Sequence, residues 1–509
     1  MKERDRFLKK HRACGMAALI LGAMMLGAIT LGAQSENPQV RVDWKTVDAI
    51  SRTTPTLQVV VNPELRRGAK LHDGAFDALR TLGADDVRYV PWLPYPRLAV
   101  AELAPPADGK TSWDFSLIDP MMEDFMNATA GHPVVVNFST MPAWLWKTDK
   151  PVEYPADPWQ VDWNYTQGSE LRDPSMQEAA EYYARLLAWY TRGGFTDEAG
   201  NRHESGHHYK IAVWEVLNEV DSEHSWTPEK YTRFYDAVVS AMRAVDPKLQ
   251  FMGLALASED NPKWFEYFLD PAHHQPGTPL DYISYHFYAT PREGEDLKTW
   301  QYTFWDQAET FLRTVRYAEA IRKRLSPATK VDLDELGAIL PEDGKDNSDP
   351  AYTAPPPPAK YWNLAGAMYA YLYIETATLG IDIAGESQLV GYHTQYPSVT
   401  MIDNANARPN ARFWVLELLK ENFGPGDQLV HTEAGTDDVT VQAFATTHGK
   451  RLLLINRRDR MQQVTLPADA QTGRVTMVAP STGDDPPKQT GEAGATLTLE
   501  PFEVAVIAY

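Results

Sequence analysis

The chain has 509 residues, room for more than one domain, and a formal charge of −21 from 48 basic and 69 acidic side chains. So acidic a chain speaks against nucleic acid and anionic membrane as partners and suits an uncharged ligand. The single cysteine, Cys14, leaves no internal disulfide, so a large apolar core has to hold the fold.

Residues 1–12 are basic and residues 13–33 uncharged and largely apolar, which is the layout of a signal peptide ending near Gly32, Ala33 and Ser35. The expected destination is secreted or periplasmic, with no membrane contact once the signal is removed. The apolar run exceeds the usual length of about 7–15 residues, so an uncleaved anchor is the alternative. Residues 34–56 include a short strand at 40–44 expected to join a C-terminal sheet. Between 57 and 423, β-prone runs at 57–61, 86–90, 133–138, 211–219, 249–254, 282–286, 330–335 and 381–384 alternate with helical stretches. The helices fall at 74–82, 115–130, 175–190, 228–245, 262–269, 302–324, 361–378 and 411–419, with Thr227 placed to cap Pro228. Eight strand-then-helix units imply a parallel sheet closed into a (β/α)8 TIM barrel. The prolines within 354–359 stiffen a loop on the active face. From 424 to 509, short strands between turn residues read as an accessory β-sandwich domain.

In such a barrel the loops after strands face the active side. Residues 211–219 read Ile-Ala-Val-Trp-Glu-Val-Leu-Asn-Glu, so Glu219 ends strand four, and Glu335 ends strand seven. Both project into one mouth. Glycoside cleavage needs an acid for the departing oxygen and a second carboxylate as nucleophile or base; about 5–5.5 Å between them implies retention and roughly 6.5–9.5 Å inversion. Asp332 and Asp334 are rivals of Glu335, and strict strand alternation places them on the opposite face. His203, His207 and His208 precede strand four, and His273 and His274 precede strand six; they belong to the stability end and to solvated loops, so neither a metal nor a cofactor is expected. Trp144, Trp146, Trp159 and Trp163 follow strand three, where they either stack on sugar rings or pack a long loop.

Trp214-Glu215-Val216-Leu217-Asn218-Glu219 resembles the strand-four motif of clan A glycoside hydrolases, and Leu333-Asp334-Glu335-Leu336-Gly337 resembles their strand-seven nucleophile motif, with family 39 the best match. Arg88-Tyr89, Trp113-Asp114-Phe115, Met141-Pro142 and Ser284-Tyr285-His286 with Tyr288 extend the likeness, as do residues 451–456 and 502–507. The resemblance implies a retaining β-glycosidase of the β-xylosidase type acting on oligosaccharide or polysaccharide, with Glu219 as acid and then base and Glu335 as nucleophile. Arg88 would keep Glu335 ionised, Asn218 would bond the sugar 2-hydroxyl, and His286 and Tyr288 would position Glu335 or a sugar hydroxyl. Leu217, Val220 and Asp334 depart from the family pattern and put the sugar preference in question. Endo-cleavage of an exopolysaccharide and silent carbohydrate binding on the same barrel are the alternatives. Oligomeric state is not encoded legibly.

Overall fold

A computed structural model describes residues 37–257, 260–345, 349 and 352–509. The expected leader, residues 1–33 with Cys14, lies outside the described residues.

The chain enters through β1 (Arg41–Ile50) and then alternates: β2 (Thr54–Val61), α1 (His72–Leu82), β3 (Val87–Pro91), α2 (Asp119–Ala128), β4 (Val134–Val136), α3 (Gln177–Thr191). A small hairpin, β5 (Gly194–Thr196) and β6 (Arg202–Glu204), interrupts the alternation before β7 (Val213–Glu215) and α4 (Pro228–Val245). There follow β8 (Gln250–Leu256), α5 (Pro262–Phe268), β9 (Tyr282–Ala289), α6 (Trp300–Leu325), β10 (Lys330–Ala338), α7 (Ala359–Leu379), β11 (Ile383–Glu386) and α8 (Ala411–Asn422). The strands close into a barrel in the order β10-β11-β2-β3-β4-β7-β8-β9. Strands buried on both faces read as nearly continuous apolar runs, and so these eight were visible as runs. Thr227 accepts the Lys230 amide and places Pro228 in the first turn of α4. Gly253 sits in β8 where an added Cβ would lie 2.4 Å from the Phe268 ring, so α5 packs on the barrel at a distance only glycine permits.

The C-terminal strands are β12 (Gln428–Glu433), β13 (Val439–Thr446), β14 (Gly449–Asn456), β15 (Gln462–Thr465), β16 (Arg474–Val478), β17 (Lys488–Glu492), β18 (Thr496–Leu499) and β19 (Val504–Ala508). They form a seven-stranded sheet, β1-β12-β13-β14-β19-β16-β17, faced by the pair β15-β18. Strand alternation divides its faces: Leu452, Leu454, Ala505 and Ile507 pack with Val464 and Leu499 of the small pair, whereas Leu453, Ile455, Val504 and Val506 join the barrel's own core. Trp305 of α6 donates to the Arg457 carbonyl across this junction at 2.8 Å. The short strand expected at 40–44 is the longer β1, antiparallel to β12 from Arg41 opposite Glu433 to Ile50 opposite Gln428. Among the described residues no helix is long and apolar enough to cross a membrane.

Candidate active site

The strand expected over 211–219 stops at Glu215. Leu217 and Glu219 take left-handed backbone angles, φ 63° and 42°, which cost non-glycine residues strain and persist only where the surroundings enforce them. Here they are enforced: Asn137 Nδ2 donates to the Leu217 carbonyl at 2.9 Å, and the Glu219 amide donates to Ala255 at 2.8 Å. The result turns Asn218 and Glu219 over the barrel mouth instead of along its wall. In β10 the pairing with β9 slips between Asp332 and Glu335. That irregularity breaks strict alternation, so Asp334 and Glu335 both reach the barrel interior, contrary to the expected opposite faces.

Arg88, on β3, is the hub. Its Nε lies 2.6 Å from Glu215 and 2.9 Å from Asp334; Nη1 donates to Glu335 at 2.6 Å and Gln58 at 2.8 Å, and Nη2 to the Asn218 side-chain oxygen Oδ1 at 2.7 Å. Glu215 is fixed further by Asn137 Nδ2 at 2.7 Å and by the Ser284 hydroxyl. Each nitrogen of the guanidinium group therefore faces a protein oxygen, and its planar fork meets five side chains at once.

Glu335 also accepts from the Tyr288 hydroxyl at 2.6 Å. Burial alone would push its carboxyl up, but His286, Arg88 and Tyr288 outweigh that and hold it below the usual glutamate range. His286 Nδ1 lies 3.0 Å from Glu219 and 3.6 Å from Glu335, and Nε2 lies 3.5 Å from Asp334. Burial pulls the ring down, yet Glu335, Asp334 and Glu219 push it up to about 10, so it is an imidazolium near neutral pH. One oxygen each of Glu219 and Glu335, with a ring nitrogen of His286, lie within 4.8 Å of one another. In its charged form the ring donates to the carboxyl groups beside it and offers no lone pair. Burial pushes Asp332 and Asp334 well above the ordinary aspartate range.

A cavity of about 200 Å³ opens over the two glutamates, lined also by Gln58, Val60, Val90, Trp92, Tyr95, Asn218, Tyr288, Ile339, Gln388, Tyr396 and Val399. Neither Asp332 nor Asp334 lines it. Arg88 and His286 stand behind its wall. Trp144 and Trp146 do not line it either: Trp144 donates to the Glu102 carbonyl at 2.9 Å beneath Arg172, and Trp146 is buried against His224 at 4.4 Å. Long-loop packing claims both. Trp159 lies under Arg66, while Trp163 packs 6.1 Å from Trp92 and 5.0 Å from Tyr396, behind the cavity's aromatic side. His203 pairs with Asp197 and His207 with Asp119, two different partners.

Sequence reading missed Trp92, Tyr95, Gln58, Glu215 and Glu223. Trp92 and Tyr95 follow β3 immediately, so the rule that loops after strands face the active side would have found them. Glu223 sits one helical turn past Glu219; its Oε1 accepts from Trp92 Nε1 at 2.7 Å and Asn218 Nδ2 at 3.1 Å, and burial followed by the nearby Glu219 pushes its carboxyl well up.

A closed (β/α)8 barrel with two glutamates facing across a mouth cavity has the build of a glycosidase, and the comparisons agree. The family model for glycosyl hydrolases family 39 matches residues 203–334, from the β5-β6 hairpin through the residue before Glu335. The chain is a glycosidase, and its likeness to family 39 holds over that stretch. Residues 437–507 match the model for the C-terminal immunoglobulin-like domain of D-apionate lactonase. A search of the curated proteins finds no match. Among solved structures, the GH51 arabinofuranosidase from Xanthomonas axonopodis pv. citri superposes with a TM-score of 0.61 at 12% identity, covering 92% of this chain and 99% of that one. A GH30 endoxylanase from Clostridium papyrosolvens C71 gives 0.56 at 12% identity over 92% and 99%. A glucosidase from Croceicoccus marinus gives 0.57 at 14% over 92% and 98%. At these identities the likeness is one of fold.

Proposed function

We propose that the protein is an exported, retaining β-glycosidase of the β-xylosidase type, cleaving a neutral sugar from an oligosaccharide or polysaccharide by double displacement. The observation that carries this is the approach of Glu219 and Glu335 to within 4.8 Å across the cavity, which is nearer the spacing of a nucleophile pair than of a pair with water between them. Glu335, held ionised, attacks the anomeric carbon while Glu219 gives its proton to the departing oxygen; a glycosyl ester forms on Glu335. Glu219 then takes a proton from water, which attacks the same carbon and frees Glu335. Asn218, locked by Arg88 and Glu223 on its two sides, keeps one amide hydrogen for the sugar 2-hydroxyl. Among the described residues no arginine or lysine lines the cavity, which favours a neutral sugar over a uronate.

A 2-deoxy-2-fluoro glycoside with an activated leaving group tests the scheme. Its label is expected on the peptide carrying Glu335, and an adduct on Asp332 or Asp334 would reassign the nucleophile. In Glu219→Gln, substrates with poor leaving groups are expected to lose activity far more than activated ones; equal loss for both kinds refutes the acid role.

A further inference from the structure

The cavity is lined on one side by aliphatic carbon. Val60 and Val90 are register partners on the adjacent strands β2 and β3. Ile339 follows β10 directly, and Val399 ends a helical turn beyond β11. All four side chains line the cavity. Because β10, β11, β2 and β3 are consecutive around the barrel, these four form one arc, away from β7 and the Glu219 that follows it.

Several polar groups beside the same arc are engaged with protein partners. Gln58 donates to Ser387 Oγ at 2.7 Å and accepts from Arg88, and Tyr288 is shared between Glu335 and Ser387. Gln388 Nε2 is turned to the Val390 carbonyl at 3.1 Å, and Trp92 Nε1 is held by Glu223. The catalytic pair and one hydrogen of Asn218 are left for the anomeric end of a sugar, and Tyr95, Tyr396 and Gln388 bring further polar atoms to the cavity. A hydroxyl pushed against Val60, Val90, Ile339 and Val399 would lose water and gain no hydrogen bond from them. A bare ring carbon would leave branched aliphatic side chains facing solvent.

We infer that the sugar released is a 6-deoxyhexose in place of xylose, whose C5 methyl group packs on Val60, Val90, Ile339 and Val399; this rests on the glycosidase reading above and departs from it only in the sugar. An aliphatic wall separates a methyl from a hydroxymethyl group by about 10- to 100-fold, the range such pockets reach.

The test uses the full chain and 4-nitrophenyl β-D-glycosides in pairs that differ only at C6: fucoside against galactoside and quinovoside against glucoside, with the xyloside beside them. In at least one pair the 6-deoxy member is expected to exceed its partner in kcat/KM by about 10- to 100-fold and to exceed the xyloside. Val60→Thr and Val399→Thr, which put a hydroxyl on the arc, should narrow that ratio at least about threefold. A hexoside cleaved as well as its 6-deoxy partner, or a xyloside cleaved best, overturns this inference while leaving the glycosidase standing. Turnover of none of the five, together with no fluorosugar adduct on any carboxylate, overturns both.

Discussion

Tyr288→Phe removes one of the three groups that keep Glu335 charged. The phenol donates to Oε2 at 2.6 Å, beside Arg88 Nη1 at 2.6 Å on Oε1 and the His286 ring at 3.6 Å. A hydrogen bond to an ionised group contributes about 1.5–3 kcal/mol. At about 1.36 kcal/mol per pKa unit, its loss raises the Glu335 carboxyl by about one to two units. The sign follows from which form loses a partner: the charged carboxylate is destabilised, so protonation becomes easier. The assay is kcat/KM against pH on an aryl glycoside with a dinitrophenolate leaving group, where acid assistance matters least and the acid limb reports the nucleophile. That limb is expected to move to higher pH by about one to two units in the variant. A limb that stays put, or moves down, refutes the claim that Tyr288 holds Glu335 ionised.

Arg88→Met deprives Glu215, Asp334 and Glu335 of their shared cation, and removing one partner of a buried ion pair costs about 3–5 kcal/mol; urea unfolding should show it, and a loss below about 1 kcal/mol would mean the acids simply take up protons. His286 has its folded value raised to about 10, so its stabilising contribution is complete below the ordinary histidine value and is lost as pH rises through about 10. The stability gap between the wild type and His286→Gln, followed by thermal melts, should therefore narrow between about pH 6.5 and 10; a constant gap across that window would show the ring to be neutral throughout.

The barrel was legible because parallel strands covered on both faces are apolar nearly throughout, and because each is followed by a helix with its own start signals, as at Thr227 and Pro228. The hairpin at Gly194–Thr196 and Arg202–Glu204 was not: three-residue strands of mixed polarity carry no periodicity. The mouth was legible in its two glutamates and less so in its walls. Trp144, Trp146 and Trp92 look alike as sequence, each an indole in a loop after a strand. What separates them is tertiary: Trp146 finds His224 to stack on, whereas Trp92 is pinned at the cavity rim by Glu223. Glu219 was expected as the last residue of a straight strand. It is presented instead by two left-handed residues whose angles no propensity favours, and which are held by Asn137 and Ala255 from neighbouring elements.

Charge balance explains why Asp334, beside Glu335 in the chain, is no competitor for its role. Four acids, Glu215, Asp332, Asp334 and Glu335, are buried around two cations, Arg88 and His286. Were all four ionised, two negative charges would stay uncompensated in a low-dielectric interior, at a penalty of about several kcal/mol each. Burial pushes the two aspartates towards their neutral form, while hydrogen bonds from Arg88, Asn137, Ser284 and Tyr288 favour the charged form of Glu215 and Glu335. Turned away from the cavity and biased towards its neutral form, Asp334 leaves both cations to the glutamates, which supports Glu335 as the proposed nucleophile.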